Sequence, residues 1–77
     1  MENKHIGEVL KDCRLRNGFS QEELAFQLNS TQSGVSKIEN GYTNVDLVLF
    51  FKWLELTDSF EIATKKLGLW DMFENAV

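Results

Sequence analysis

One stretch of the sequence, TQSGVSKIENG at residues 31–41, carries hydrogen-bonding groups where a surface helix usually carries Glu, Lys and Ala. Its interior holds two serines, a glutamine and one glycine, yet Val35 and Ile38 keep a helical spacing and the run stops at Asn40 and Gly41. Short uncharged side chains on an outer face are suited to direct hydrogen bonding with another molecule. The stretch therefore predicts a helix that reads a surface, with DNA as the candidate.

Other side chains offer little chemistry. His5 and Cys13 are the only histidine and cysteine in the chain, too few for a typical metal site. The sequence has no Ser-His-Asp pattern and no glycine-rich phosphate loop. We therefore expect no metal, no cofactor and no enzymatic activity, with Cys13 as a small core residue.

The charge is acidic and unevenly distributed along the chain. Residues 1–41 hold five basic and six acidic side chains, a net of −1, whereas residues 42–77 hold three and six, a net of −3. The total of −4 argues against nonspecific binding to polyanions. The half that contains the polar stretch is close to neutral, so binding to DNA stays compatible with the charge.

Length and composition predict one domain in a reducing compartment. Seventy-seven residues, 43% of them apolar, are enough for a single small core. One cysteine allows no disulfide within the chain. The N-terminus lacks the apolar core of a signal peptide, and the longest apolar run, residues 47–51, is too short to span a bilayer. We expect a cytoplasmic protein with no membrane partner.

Apolar periodicity and capping residues predict an all-α chain of five helices followed by a short apolar C-terminal helix. The helices are expected at about 4–17, 21–28, 31–40, a fourth that is capped by Asn44 or Asp46 and runs to about 56, and 58–68, with the domain at 1–68 and a tail at 69–77. Ser20 and Glu23 form a capping box, and Thr31 is a good N-cap. A second box is expected from Asp58 to Glu61. The brief turn at residues 29–30 makes the second and third helices a helix-turn-helix.

The segment IGEVLKDCRLRNGFSQEELAFQLNSTQSGVSKIENG, residues 6–41, resembles the Cro/CI-type helix-turn-helix family, also called lambda-repressor-like or XRE domains. Its most specific parts are GFSQEELA and VSKIENG, which stand at the expected separation. The resemblance continues more loosely to about Gly68. It implies the five-helix lambda-repressor-like fold, with residues 31–40 as the recognition helix.

The resemblance assigns DNA-binding roles to eight side chains or backbone groups. The base-reading positions are Gln32, Ser33, Ser36 and Lys37. The phosphate-binding positions are Gln21, Thr31, Asn40 and Gly41. Gln suits adenine, Lys suits guanine, and Ser accepts or donates. The alternative is that these polar groups are merely solvated.

An ion pair is also implied by the resemblance. Arg14 lies on the flank of the buried stripe of the first helix, where an unpaired guanidinium is costly. The family pairs it with a glutamate at the position of Glu39, which ties the first helix to the end of the recognition helix. The alternative is a solvated surface pair that contributes little stability.

Apolar residues exceed what a small core needs. Nine of the twelve residues at 45–56 are apolar, Phe26 lies off the buried face of its helix, and the tail adds more apolar residues. The candidates for a homodimer contact are Trp53, Leu69, Trp70 and Phe73. Twofold symmetry would match paired half-sites on DNA. Alternatively, the tail folds over its own domain.

The leading hypothesis is a sequence-specific transcriptional regulator, of the phage or bacterial repressor type, that binds double-stranded operator DNA as a homodimer. The loop after Gly41 reads YTNVD and lacks the Lys or Arg that family members often carry. Weak binding, or a need for two subunits, is therefore expected. The rival hypothesis is a protein-interaction module on the same fold, such as an antirepressor or a regulatory partner, that stays off DNA.

Overall fold

The computed structural model describes residues 3–68, which fold into five α-helices with no strand among them. The helices are α1 (Asn3–Arg16), α2 (Gln21–Gln27), α3 (Gln32–Glu39), α4 (Leu47–Leu56) and α5 (Phe60–Lys66). The predicted all-α, five-helix fold is thereby confirmed. The predicted C-terminal helix, including Leu69, Trp70 and Phe73, lies outside the described residues.

The ends of α2 and α3 are set by the predicted caps. The Ser20 hydroxyl accepts from the Glu23 N–H at 3.0 Å, and the Glu23 carboxylate accepts from the Ser20 N–H at 3.2 Å. The Thr31 hydroxyl accepts from the Gly34 N–H at 3.0 Å. Asn29 ends α2 with a φ of 56°, in the left-handed region that asparagine tolerates. A four-residue connection thus turns the chain from α2 directly into α3.

The predicted capping box at Asp58 is wrong. Asp58 has a φ of 48°, and its N–H donates to Glu55 O, so it closes the C-terminus of α4. Ser59 is the N-cap of α5, and its hydroxyl donates to Thr57 O at 2.7 Å instead of capping the helix. The turn between α4 and α5 is too tight for Asp58 to serve the helix that follows.

The core lies where α1 meets α3, α4 and α5, with α2 packed on α3 and α4. Trp53 is fully buried there, and its Nε1–H donates to Leu10 O at 3.0 Å. The prediction that Trp53 contacts a second copy of the chain is therefore wrong, because its side chain is already used inside the protomer. Exposed apolar side chains of α4 and α5 lie elsewhere, at Leu47, Val48, Phe51 and Phe60.

Gly7 allows α1 to approach the end of α3 closely. A Cβ at Gly7 would lie 2.7 Å from Glu39 O and closer still to Ile38 O, distances that real Cβ atoms do not show. The backbone of α1 therefore touches the last turn of α3 directly. This contact fixes the position of α3 on the rest of the domain.

None of the helices among the described residues is long and apolar enough to cross a membrane. The same residues contain no group of three or more His, Cys, Asp or Glu side chains placed to hold a metal ion.

Candidate nucleic-acid interface

The outer face of α3 carries all four predicted base-reading side chains. Gln32, Ser33 and Lys37 are exposed, and Ser36 is partly buried. The opposite face of α3 is buried through Val35, Ile38 and Glu39. The apolar stripe therefore holds the helix on the domain and turns its polar groups outward.

Gln21 connects the start of α2 with the start of α3. Its Oε1 accepts a hydrogen bond from Gln32 Nε2 at 2.6 Å, and its own Nε2 donates to Glu39 Oε1 at 2.9 Å. The side chain predicted to hold a phosphate thus also orients one predicted to read a base. Thr31, another predicted phosphate contact, uses its hydroxyl as the N-cap of α3.

Arg14 and Glu39 lie together in a buried ion pair. Arg14 Nε donates to Glu39 Oε2 at 2.6 Å and Nη2 donates to Oε1 at 3.1 Å, a two-point contact. Arg14 Nη1 also donates to Phe19 O at 2.8 Å. The side chains are 7% and 1% exposed, so water screens the pair very little. The pair anchors the C-terminal end of α3 to α1 and to the turn that precedes α2.

At the C-terminal end of α3, the groups predicted to contact a phosphate already make hydrogen bonds within the chain. Asn40 Nδ2 donates to Ser36 O at 2.8 Å and to the Ser36 hydroxyl at 3.3 Å. The Gly41 N–H donates to Ile38 O, and the Tyr42 N–H donates to Lys37 O, which together cap the helix. The Gly41 N–H, which was predicted to contact a phosphate, already donates to Ile38 O, so a phosphate oxygen would have to compete with that carbonyl.

Lys4 is a residue near this end whose position the sequence did not indicate. Gly41 has a φ of 78°, and a Cβ there would lie 2.7 Å from Lys4 Cα. The first turn of α1 therefore lies against the C-cap of α3. Lys4 is exposed and brings a positive charge to the end of α3, where the loop that follows has none.

Gly7 is the second residue that the sequence reasoning missed. A glycine inside an otherwise regular amphipathic helix is a recognised signal of close backbone approach. Its neighbour in space, the last turn of α3, is more than thirty residues away along the chain. The signal could have been noticed, but the partner could not have been identified from the sequence.

Several other cations are held by acids away from α3. Arg16 and Lys66 both contact Asp12, and Lys65 contacts Glu61. The hydrogen bond from Lys66, followed by the one from Arg16, lowers the pKa of the Asp12 carboxyl. Burial, by contrast, raises the pKa of the Cys13 thiol, which keeps it protonated in the core. Arg16 and Lys66 therefore share one negative charge, which neutralises them only in part.

A model of the helix-turn-helix family matches residues 10–61, from the second half of α1 to the start of α5.

Two individual proteins are also similar to this chain. Antitoxin HipB from Escherichia coli O6:H1 is 36% identical over 50 residues, which cover 65% of this chain and 53% of that protein. The match therefore spans about half the length of this curated relative. The crystal structure of the restriction-modification controller protein C.AhdI from Aeromonas hydrophila superposes with a TM-score of 0.68 and 36% identity. That match covers 73% of this chain and 85% of the controller protein.

Proposed function

The chain belongs to the helix-turn-helix family, and on that premise we propose that it is a sequence-specific DNA-binding transcriptional regulator that acts as a repressor. The observation that carries the proposal is the outward polar face of α3, with Gln32 held at 2.6 Å from Gln21. The similarity to a controller protein supports a regulatory role. A regulator of bacterial or phage genes works where that DNA is, so we propose the cytoplasm as its compartment.

Base reading is proposed for the four outward side chains of α3. A glutamine pairs with adenine through N6 and N7, and a lysine reaches O6 and N7 of guanine. We therefore propose adenine for Gln32 and guanine for Lys37. The two side chains lie more than one helical turn apart on α3, so each faces its own base pair. Ser33 and Ser36 accept or donate at whichever base edge faces them. The face therefore has the donors and acceptors that a major groove requires.

Phosphate contacts are proposed at both ends of α3. Gln21 and Thr31 lie at its N-terminal end, and Asn40 lies at its C-terminal end together with Lys4. Lys4 replaces part of the positive charge that the loop YTNVD lacks. Arg16 and Lys66 contact Asp12 and are thus partly neutralised within the chain, which reduces what they can contribute at phosphates. Specific affinity must then depend more on base contacts than it does in a basic repressor.

We expect the protein to bind selected duplexes specifically, with a weak dependence on salt. Each neutralised phosphate contributes about −0.9 to the slope of log K against log salt. Fragments selected from random duplexes by the purified protein, followed by fluorescence anisotropy at several salt concentrations, measure this slope. Lys4→Gln should make the slope less negative by about 0.9, the contribution of one phosphate contact. If no selected fragment binds better than random DNA at low salt, the repressor function is contradicted.

We propose that the regulator acts as a homodimer through α4 and α5. Leu47 and Val48 are 69% and 64% exposed, and the rings of Phe51 and Phe60 stack with centroids 6.1 Å apart. Such an apolar surface is large for a small monomer, and a second copy would cover it. Selected fragments should then contain two inverted half-sites about 34 Å apart, one helical turn of DNA. Fragments that carry single, unpaired sites would contradict the dimer.

A second candidate function, a protein-interaction module, is favoured by a different surface. Phe26 is 82% exposed on α2 and stands with Phe19 beside the acidic Glu22 and Glu23. This surface has the apolar centre and charged rim that are typical of a protein contact. The selection experiment also separates the two functions, because a module that stays off DNA enriches no fragment.

A further inference from the structure

We propose that Glu39 is a positioning residue for base selection, which fixes through Gln21 the hydrogen-bonding groups that Gln32 presents to DNA. The inference rests on the proposed function and deepens it, since it names the buried residue that sets the base preference of Gln32. It is carried by one continuous set of hydrogen bonds, from Arg14 to Glu39, to Gln21 and to Gln32.

The order of donors in this set is dictated by chemistry. Arg14 has only donors, and the carboxylate of Glu39 has only acceptors. Glu39 accepts from Arg14 Nε at 2.6 Å and from Gln21 at 2.9 Å. Gln21 must therefore turn its NH₂ group toward Glu39, because its oxygen would meet another oxygen there. Its own Oε1 is left to face Gln32.

Gln32 then has one arrangement open to it. It must donate an N–H to Gln21 Oε1, at 2.6 Å. One of the two hydrogens on Gln32 Nε2 makes that bond, so Gln32 keeps Oε1 as an acceptor and its other N–H as a donor. One donor beside one acceptor complements N7 and N6–H₂ of adenine, whereas guanine presents two acceptors at O6 and N7. The geometry therefore points to adenine over guanine at the base pair that Gln32 faces.

Burial of the Arg14–Glu39 pair keeps the donors and acceptors of this set from exchanging places. Glu39 is 3% exposed and Arg14 is 6% exposed, so water does not supply a competing donor to the carboxylate. The two-point contact with Arg14 also holds both carboxylate oxygens in place. The preference of an exposed glutamine on α3 is thus set by a buried acid that does not touch DNA.

Glu39→Gln tests the inference, because it replaces one acceptor oxygen by an NH₂ group of the same shape. Glutamine can keep only one of the two bonds from Arg14. The bond from Nε, at 2.6 Å, is shorter than the bond from Nη2, at 3.1 Å, so we expect the remaining oxygen at the Oε2 position and the new NH₂ at the Oε1 position, where it faces Gln21. Gln21 and then Gln32 must reverse, and Gln32 presents donors to DNA. We expect the preference for adenine over guanine to fall by about tenfold at that base pair, within the range of a good bidentate contact.

The measurement is fluorescence anisotropy with selected fragments that differ only at that base pair, for the wild type, Glu39→Gln, Gln32→Ala and the double variant. The expected result is that Glu39→Gln shifts the preference in the wild-type background and leaves it unchanged when residue 32 is alanine. Glu8→Gln makes the same charge change on the exposed surface of α1 and should leave the preference unaltered. Circular dichroism checks that each variant is folded.

Equal weakening on all fragments, or the same shift in both backgrounds, would overturn the inference, because either result is that of a purely structural residue. If Glu39→Gln does not fold, Gln21→Met cuts the set between Glu39 and Gln32 while the ion pair stays intact. It should reduce the adenine preference at the same base pair, and an unchanged preference would overturn the inference. A wild type without any base preference contradicts the proposed function itself, which is a separate result.

Discussion

Replacing Glu39 with alanine is expected to destabilise the fold by about 3–5 kcal/mol, the usual effect of removing one partner of a buried ion pair. The variant leaves the Arg14 guanidinium buried, with Phe19 O as its remaining acceptor among the three bonds described above. For a chain of 77 residues, a total stability of about 4–12 kcal/mol is typical, so this loss is a large fraction. Urea denaturation followed by circular dichroism measures it.

Asp12→Ala is the matched control for this variant. It breaks the contacts of Asp12 with Arg16 and Lys66, but these side chains are 38–51% exposed. Exposed ion pairs contribute about 0–1 kcal/mol, so the expected loss is small. A loss of similar size for both variants would contradict the account, because the Arg14–Glu39 pair would then be no more than a surface pair.

Gly7→Ala is expected to destabilise the fold by about 2 kcal/mol, although alanine is the better helix former. Helix propensity alone predicts a gain of about 1 kcal/mol for this change. The added Cβ, however, would lie 2.7 Å from Glu39 O, a backbone atom that no side-chain rotation can remove. Either α1 or the last turn of α3 must shift, and the ion pair between these helices shifts with it. Thermal unfolding of the variant and of the wild type shows whether the substitution lowers or raises the stability.

Gly34→Ala provides the comparison for Gly7→Ala. Its Cβ would meet the hydroxyls of Thr31 and Ser30 at 3.1 and 3.2 Å, and these side-chain atoms need to shift by only a few tenths of an ångström. The gain in propensity and the mild crowding should roughly cancel, within about 1 kcal/mol of the wild type. A Gly7→Ala protein as stable as the wild type would show that α1 does not fix α3 by direct backbone contact.

Local signals in the sequence were sufficient for the helix ends that flank α3. The Ser20 box, the Thr31 cap and the left-handed Asn29 each act within four residues, so the sequence alone contains their physics. The capping box at Asp58 was predicted wrongly because it, too, was inferred from local signals alone. A residue between two helices can close the first or open the second, and the length of the turn decides which.

Contacts between distant segments were beyond the sequence. Because α4 is apolar on most of its surface, periodicity did not reveal that Trp53 points inward to Leu10 while Leu47, Val48 and Phe51 point outward. The approach of Gly7 to Glu39, and of Lys4 to Gly41, depends on how the helices cross. The bonds that join Gln21 to Gln32 and to Glu39 depend on the same crossing. These contacts decide how α3 presents its side chains, so the positioning residues could be identified only from the structure.

The proposal that α3 reads bases is tested most directly by the base preferences of Gln32→Ala and Lys37→Ala. Anisotropy competition between the best selected fragment and its single-base variants gives the preference at each position. Each variant is expected to stay folded and to lose about 1–3 kcal/mol of discrimination at one position only, since each side chain contacts its own base pair. If both folded variants retain the complete preference of the wild type, α3 does not read the DNA.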